Sequence, residues 1–413
     1  MKILMLNNAD VESGAARATT RLQQGLRDKG VDARLLVQRK FGDSPRVIGP
    51  DSTLAKALGF ARPTLEQKIF GVAPDKINGP FSPSFLPDRI SARVAALSPD
   101  IIHLNWVANM MRLETLGRFE VPLVWTLHDS WPFTGGCYVP FDCTRYREAC
   151  GSCPVLGSSR ERDLSRRVWN RKEKAWRGLN LTVVAPSNWM GACARASSLF
   201  GKARIEVIPN GLDLNRFKPI DQGTARDILS LPRDKKLILF GAKSATGDRN
   251  KGFQLLAQAL QELAGAGLPE RSVELVVFGS SRPEPAPELG FPTHYLGWLS
   301  DEVSLALLYA AADVFVFPSL QESLGYTAME AMACGTPCVA FEQGGIPDLI
   351  DHRVNGYLAK PFEPADLARG IAWVLEAGKR GGDLSGAARR KVERDFSIEA
   401  VAARYLELYH SVL

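Results

Sequence analysis

Two carboxylates eight positions apart, Glu322 and Glu330, lie in the segment FPSLQESLGYTAMEAMACGTPCVAFEQGGIPD at residues 317–348. An apolar run ends at Pro318, a polar loop carries Glu322, and a helical pattern begins near Leu324 and carries Glu330. A carboxylate in a loop at a helix start can accept hydrogen bonds from sugar hydroxyls. The unpaired amides and dipole of that helix end favour phosphate oxygens. Glu330, deeper in the helix, could take a ribose diol as a bidentate acceptor. Without context the same pair is a solvated helix residue and an N-terminal cap. Upstream, FGAKSATGDRNKGF at residues 240–253 supplies Lys243, Arg249 and Lys251. A departing diphosphate needs such cations, because negative charge develops on its oxygen. The segment is not a Walker loop, since neither Gly247 nor Gly252 opens a Gly-Lys-Ser/Thr. A solvated basic loop is the alternative.

His128 closes the apolar run 122–128 at its carboxyl end, where a neutral imidazole could bond a sugar hydroxyl. His103, inside IIHLNW, is expected to be a satisfied core histidine. The first strand leads into NADVESGAA, which has no G-x-G-x-x-G and so argues against an ordinary NAD or FAD site. Gly14 there is either a helix-entry turn or a place where backbone approaches a ligand. Cys137, Cys143, Cys150 and Cys153 fall within seventeen residues, close enough for four thiolates to hold a tetrahedral structural zinc. Disulfides or unlinked thiols in a compact loop are the alternatives. The basic stretch 160–177 carries Trp169 and Trp176, and reads either as a solvated helix with its tryptophans packed inward or as a helix resting on anionic lipid.

These residues need positioning elements. Nearly continuous apolar runs occur at residues 2–8, 33–39, 100–106, 122–128 and 181–187, and again at 236–242, 273–280, 293–298, 313–319 and 337–341. Such runs suit strands covered on both faces. Amphipathic helical patterns such as 15–28, 253–264 and 301–311 lie between them. The alternation predicts parallel sheets with helices on both sides, and two groups of five strands predict two such domains. Ligands of these sheets sit beyond the carboxyl ends of the strands. The turn-rich segment 208–221 separates the two groups, and residues 40–98 are the least readable.

The composition agrees. The chain has 413 residues, 45% hydrophobic and 23% charged, which excludes long disorder and a disulfide miniprotein. Fifty-one Lys and Arg against 45 Asp and Glu give +6, too dilute for duplex nucleic acid but suited to anionic small molecules or a lipid surface. An odd count of seven cysteines, with no run resembling a signal peptide or a membrane span, predicts a reducing cytoplasm.

The Glu-x7-Glu loop and helix, the ending Ala-Cys-Gly-Thr-Pro, the next strand and the GGIPD at 344–348 together resemble the retaining family-four glycosyltransferases. The likeness covers most of the chain, with IPNGLD at 208–213 similar to the interdomain segment and NGYL at 355–358 to the turn after the Gly-Gly motif. It implies the α/β GT-B fold, two facing Rossmann-like domains with parallel sheets and a central cleft. Residues 1–207 would form the acceptor-side domain, with a Cys-rich loop at 129–157. Residues 208–395 would bind the nucleotide sugar, and 396–413 would be a helix that could cross back to the first domain.

The resemblance further implies transfer of a sugar, with retained configuration, from a UDP- or GDP-sugar to a saccharide or lipid-linked acceptor. Glu322 would contact the donor sugar and Glu330 the ribose. The amides of Ser323, Leu324, Gly325, Tyr326 and Thr327 would hold sugar and diphosphate, and backbone near Leu296 the base. Lys251 matches the family's Lys-Gly at a helix start. Where the family has Gly-Arg at the preceding strand end this chain has Gly241 and Ala242, so the second cation falls to Arg249 or Lys243. His128 matches the strand-end histidine near the donor sugar, and Gly14 the small-residue loop. No catalytic metal is implied, because Lys251 and the helix end can neutralise the diphosphate. The expected setting is bacterial surface-polysaccharide synthesis, in the cytoplasm or peripherally at the inner face of the cytoplasmic membrane. A phosphorylase or epimerase on the same fold, or a binding protein without turnover, are the alternatives.

Overall fold

All ten apolar runs become strands in the computed structural model, which describes residues 1–11, 13–73, 76–242, 245–266, 272–284, 287–299, 301–377 and 382–413. The first sheet has seven strands: β1 (Lys2–Ala9), β2 (Asp32–Arg39), β3 (Val47–Ile48), β4 (Ile101–Leu104), β5 (Leu123–Thr126), β6 (Leu181–Ala185) and β7 (Arg204–Val207). Their order is β3-β2-β1-β4-β5-β6-β7. The second sheet has six: β8 (Lys236–Gly241), β9 (Val273–Phe278), β10 (Thr293–Tyr295), β11 (Val314–Phe317), β12 (Cys338–Phe341) and β13 (Gly356–Ala359), in the order β10-β9-β8-β11-β12-β13. Every pairing between these strands is parallel, from Lys2 opposite Asp32 in the first sheet to Phe341 opposite Ala359 in the second.

Alternation along each strand divides its side chains between two cores. Leu4 and Leu6 of β1 enter one core and Ile3 and Met5 the other. In β11, Phe315 and Phe317 pack on one side and Val314 and Val316 on the opposite side. Strands buried this way on both faces have no polar period, which is why they read as unbroken apolar runs.

The chain forms two compact units, Met1–Gly211 with Ile398–Leu413, and Leu212–Ser397. Ile208 is buried in the first unit's core. The last helix, Ile398–Val412, belongs to the same unit, burying Val401, Ala402, Tyr405, Leu408 and Tyr409 against it. Gly25, on the helix Gly14–Asp28, makes that approach close, since a Cβ there would stand 2.8 Å from Ile398 Cγ1. Among the described residues no helix is long and apolar enough to cross a membrane.

Candidate active site

In the second unit the candidate side chains Lys251 and Glu322 stand on loops at the carboxyl ends of β8 and β11, and the loop after β12 lies against them. Lys251 ends a short 3-10 turn, Arg249–Lys251, and its ammonium lies 2.6 Å from Glu322 Oε1. Both side chains keep some exposure, 22% and 18%. Partial burial alone would lower the lysine, but the Glu322 carboxylate outweighs it and holds Lys251 above its ordinary value. The next residue, Gly252, has φ of +69°, and a Cβ there would fall 1.9 Å from the Pro318 carbonyl oxygen. Only glycine lets the lysine loop lie this closely on the end of β11. Asn250 completes the joint. Its Nδ2 donates to the Gln321 carbonyl at 2.9 Å, its Oδ1 accepts from the Gln321 amide at 3.1 Å, and its carbonyl accepts from the Leu320 amide at 2.9 Å.

The Glu322 carbonyl accepts from the Gly345 amide at 2.9 Å, and a Cβ on Gly344 (φ +61°) would stand 2.4 Å from that oxygen. The Gly-Gly pair is thus the backing of the Glu322 loop. The helix Tyr326–Ala333 follows, entered through Gly325 at φ 101° with no side-chain cap. An uncapped helix start beside an ammonium is a ready anion site. Leu324 is buried in the core, so only its backbone faces this chemistry, while Ser323, Tyr326 and Thr327 are half-buried. Glu330 is 1% exposed, and its Oε2 accepts from the Tyr309 hydroxyl at 3.1 Å.

Other expected donor contacts lie less favourably. Arg249 is exposed, so the turn brings Lys251 rather than Arg249 to Glu322. Lys243 lies outside the described residues. The Leu296 amide is spent on the Val277 carbonyl at 2.9 Å and the Gly297 carbonyl on the Gly279 amide at 2.7 Å. The Leu296 carbonyl, the Gly297 amide and the 55% exposed Trp298 are what this edge offers a base.

In the first unit His128 follows β5, half-buried, with Nε2 3.1 Å from Asn105 Oδ1. Burial lowers it to about 4, so the ring is neutral at physiological pH. The neighbouring Asp129 accepts from Trp106 Nε1–H at 2.7 Å and from the Trp131 amide at 2.8 Å. Burial nevertheless raises it to about 7. Trp106 is tied back to β1 through Asn7 Oδ1, 2.8 Å from its amide. Adjacent residues after β4 therefore hold adjacent residues after β5. Gly14 opens its helix behind the N-cap Ser13, and a Cβ there would meet nothing within 4 Å, so packing does not demand glycine. His103 is the core histidine expected: Nε2 lies 2.8 Å from Thr126 Oγ1 and Nδ1 2.6 Å from the Tyr409 hydroxyl.

Cys137, Cys143, Cys150 and Cys153 line one cavity of about 20 Å³ and are free thiols. Burial pushes the Cys150 thiol up to about 12. As the side chains stand, among the described residues no group of three or more His, Cys, Asp or Glu could hold a metal ion. The basic helix Leu164–Trp176 is anchored inward. Lys172 is 0% exposed, donates to the carbonyls of Trp131 and Thr134, and lies 3.8 Å from the Trp131 ring. Trp176 donates to the Leu113 carbonyl, and Arg166 and Arg171 pair with Glu161 and Glu114. Sequence reasoning missed Asn105, Trp106, Asp129 and Asn250. Asn105 and Trp106 close the run 100–106, Asp129 directly follows the run 122–128, and Asn250 stands between Arg249 and Lys251, so none of them carries a spacing signal of its own.

Two all-parallel sheets, each in its own Rossmann-like unit, form the GT-B architecture of glycosyltransferases. Residues 13–216 match the family described as Glycosyltransferase Family 4, and residues 235–377 that described as Glycosyl transferases group 1. A D-inositol 3-phosphate glycosyltransferase from Xylanimonas cellulosilytica is 32% identical over 336 residues, 75% of this chain and 71% of that protein. The chain belongs to this group 1 and family 4 glycosyltransferase family, and it is an enzyme of that class. The fold is shared with a sucrose-phosphate synthase from Thermosynechococcus elongatus, at 20% identity and TM-score 0.70 over 100% of this chain and 99% of that one. It is shared also with Anabaena HepE, solved in complex with UDP and glucose, at 21% identity and TM-score 0.66 over 100% of both chains.

Proposed function

We propose that this glycosyltransferase moves a sugar from a nucleotide-diphosphate donor to a hydroxyl of its acceptor, with retained anomeric configuration. The observation that carries the reading is the Lys251–Glu322 pair, set 2.6 Å apart beside an uncapped helix start. A donor diphosphate takes the ammonium and the helix amides, and Glu322, released from its partner, accepts from hydroxyls of the sugar. As the glycosyl bond breaks, charge grows on the phosphate oxygen while these groups are already oriented, so stabilisation needs no rearrangement. Glu330 serves the ribose, helped by the orientation that Tyr309 gives its carboxylate. His128 serves a sugar hydroxyl as a neutral ring.

UDP is the first nucleotide to test, because HepE was solved with it. The relative's name makes a small phosphorylated polyol the first acceptor to test, and the mild basic excess suits an anionic acceptor. A saccharide or lipid-linked acceptor in surface-polysaccharide synthesis, in the cytoplasm or at its membrane face, is the broader setting we infer from the motif resemblance. Labelled UDP-sugars offered with inositol phosphates, free saccharides and water give the deciding product analysis. A glycoside of retained configuration supports the reading. Release of free sugar alone, or of sugar phosphate, contradicts it.

A further inference from the structure

Which ring nitrogen of His128 carries the proton decides whether the free edge of the ring gives or receives a hydrogen bond. The surroundings of Asn105 answer this without any ligand. The Asn105 amide donates to the Leu6 carbonyl at 2.9 Å, and its carbonyl accepts from Trp125 Nε1–H at 3.1 Å, so the backbone is fixed on both sides. Its Nδ2 stands 3.3 Å from the His103 carbonyl oxygen. A carbonyl can only accept, so that end of the side chain is the NH2 group and the other end is oxygen. That oxygen lies 3.1 Å from His128 Nε2. Oxygen in turn can only accept, so Nε2 must be the protonated nitrogen.

We propose that Asn105 is a positioning residue that locks His128 in its Nε2–H tautomer, leaving Nδ1 as the ring's acceptor for a substrate hydroxyl. Two titratable neighbours could disturb the lock, and both are engaged. His103 has each ring nitrogen within hydrogen-bond distance of a hydroxyl, on Thr126 and Tyr409. Asp129 accepts from Trp106 and Trp131 rather than from the imidazole.

The tautomer assignment stands on geometry alone, and its use toward a hydroxyl rests on the proposed transferase reading. The experiment is nitrogen NMR of the full chain labelled at histidine, near pH 7. The expected spectrum gives His128 a protonated Nε2 and a bare Nδ1. Asn105→Ala releases the lock and shows both tautomers, with turnover down roughly tenfold, the scale of one lost hydrogen bond. Asn105→Asp keeps an acceptor at Nε2 and therefore the tautomer. Its negative charge favours the imidazolium, so the acid limb of the rate profile moves to higher pH. A wild-type spectrum with the proton on Nδ1, or an Asn105→Ala spectrum identical to wild type, overturns the lock. The wild-type spectrum depends on no substrate, so it tests the tautomer even where the donor reading fails.

Discussion

At the level of single residues, the pair at 2.6 Å between Lys251 and Glu322 makes each a partner that a donor must exchange. Lys251→Ala removes the only described side-chain cation in contact with Glu322 and is expected to lower kcat by about 10²–10³, the usual worth of one preorganised charge-stabilising donor. The melting temperature should change little, because a partly exposed ion pair contributes little to stability. Steady-state kinetics beside a thermal melt check both halves. His103 and His128 give a prediction in pH. Burial depresses them to about 3 and about 4 in the fold, against 6.5 for the ordinary value. Above pH 6.5 both states are neutral and nothing is lost. Below it the unfolded chain takes protons that the folded chain refuses, so stability falls as pH drops toward 4. Asp129, raised to about 7, works in the opposite sense, so the histidine effect is read by difference: urea midpoints measured from pH 7.5 to 5 should change less favourably toward low pH in the wild type than in His103→Gln. That Glu322, Glu330, Lys251 and His128 stand at strand ends or on adjoining turns and helices was legible in sequence, because each lies close to the end of an apolar run or the start of a helical pattern. Asn105 and Asn250 were not, because a lone asparagine in a loop or turn has no spacing signature and its bonds cross to residues far along the chain.

At the scale of elements, the loops are held by close backbone approaches rather than by bulk. Gly252→Ala meets the Pro318 carbonyl and must leave a positive φ, so a loss of at least about 2 kcal/mol in chemical denaturation is expected. A melt indistinguishable from wild type would contradict the account of this joint. Ten strands were legible because burial on both faces makes them continuous apolar runs. Three were not. β3 has only two residues, β7 is a partly exposed edge strand reading RIEV, and β13 begins at Gly356 inside what reads as a turn. The basic helix Leu164–Trp176 shows the limit of charge counting. Its sequence does not reveal that Lys172 turns inward onto two carbonyls and a tryptophan face while Arg166 and Arg171 find carboxylates.

At the scale of the whole chain, the last helix returns to the unit that the first 211 residues build. Tyr409 and Tyr405 are buried in that core, their hydroxyls bonded to His103 and Thr126. Tyr409→Phe keeps the ring and leaves His103 Nδ1 without its hydrogen-bond partner, a cost of about 1–3 kcal/mol for a buried group left unsatisfied. Urea unfolding of the full chain measures it, and an unchanged midpoint would contradict the assigned bond. The central claim is that a donor diphosphate settles between the ammonium of Lys251 and the start of the helix Tyr326–Ala333. A crystal structure of the chain with UDP or an unreactive UDP-sugar tests it most directly. The diphosphate oxygens are predicted within hydrogen-bond distance of Lys251 Nζ and the amides of residues 323–327, with Glu322 turned from the lysine to the sugar. A diphosphate bound elsewhere, with the Lys251–Glu322 pair still closed, would contradict the account.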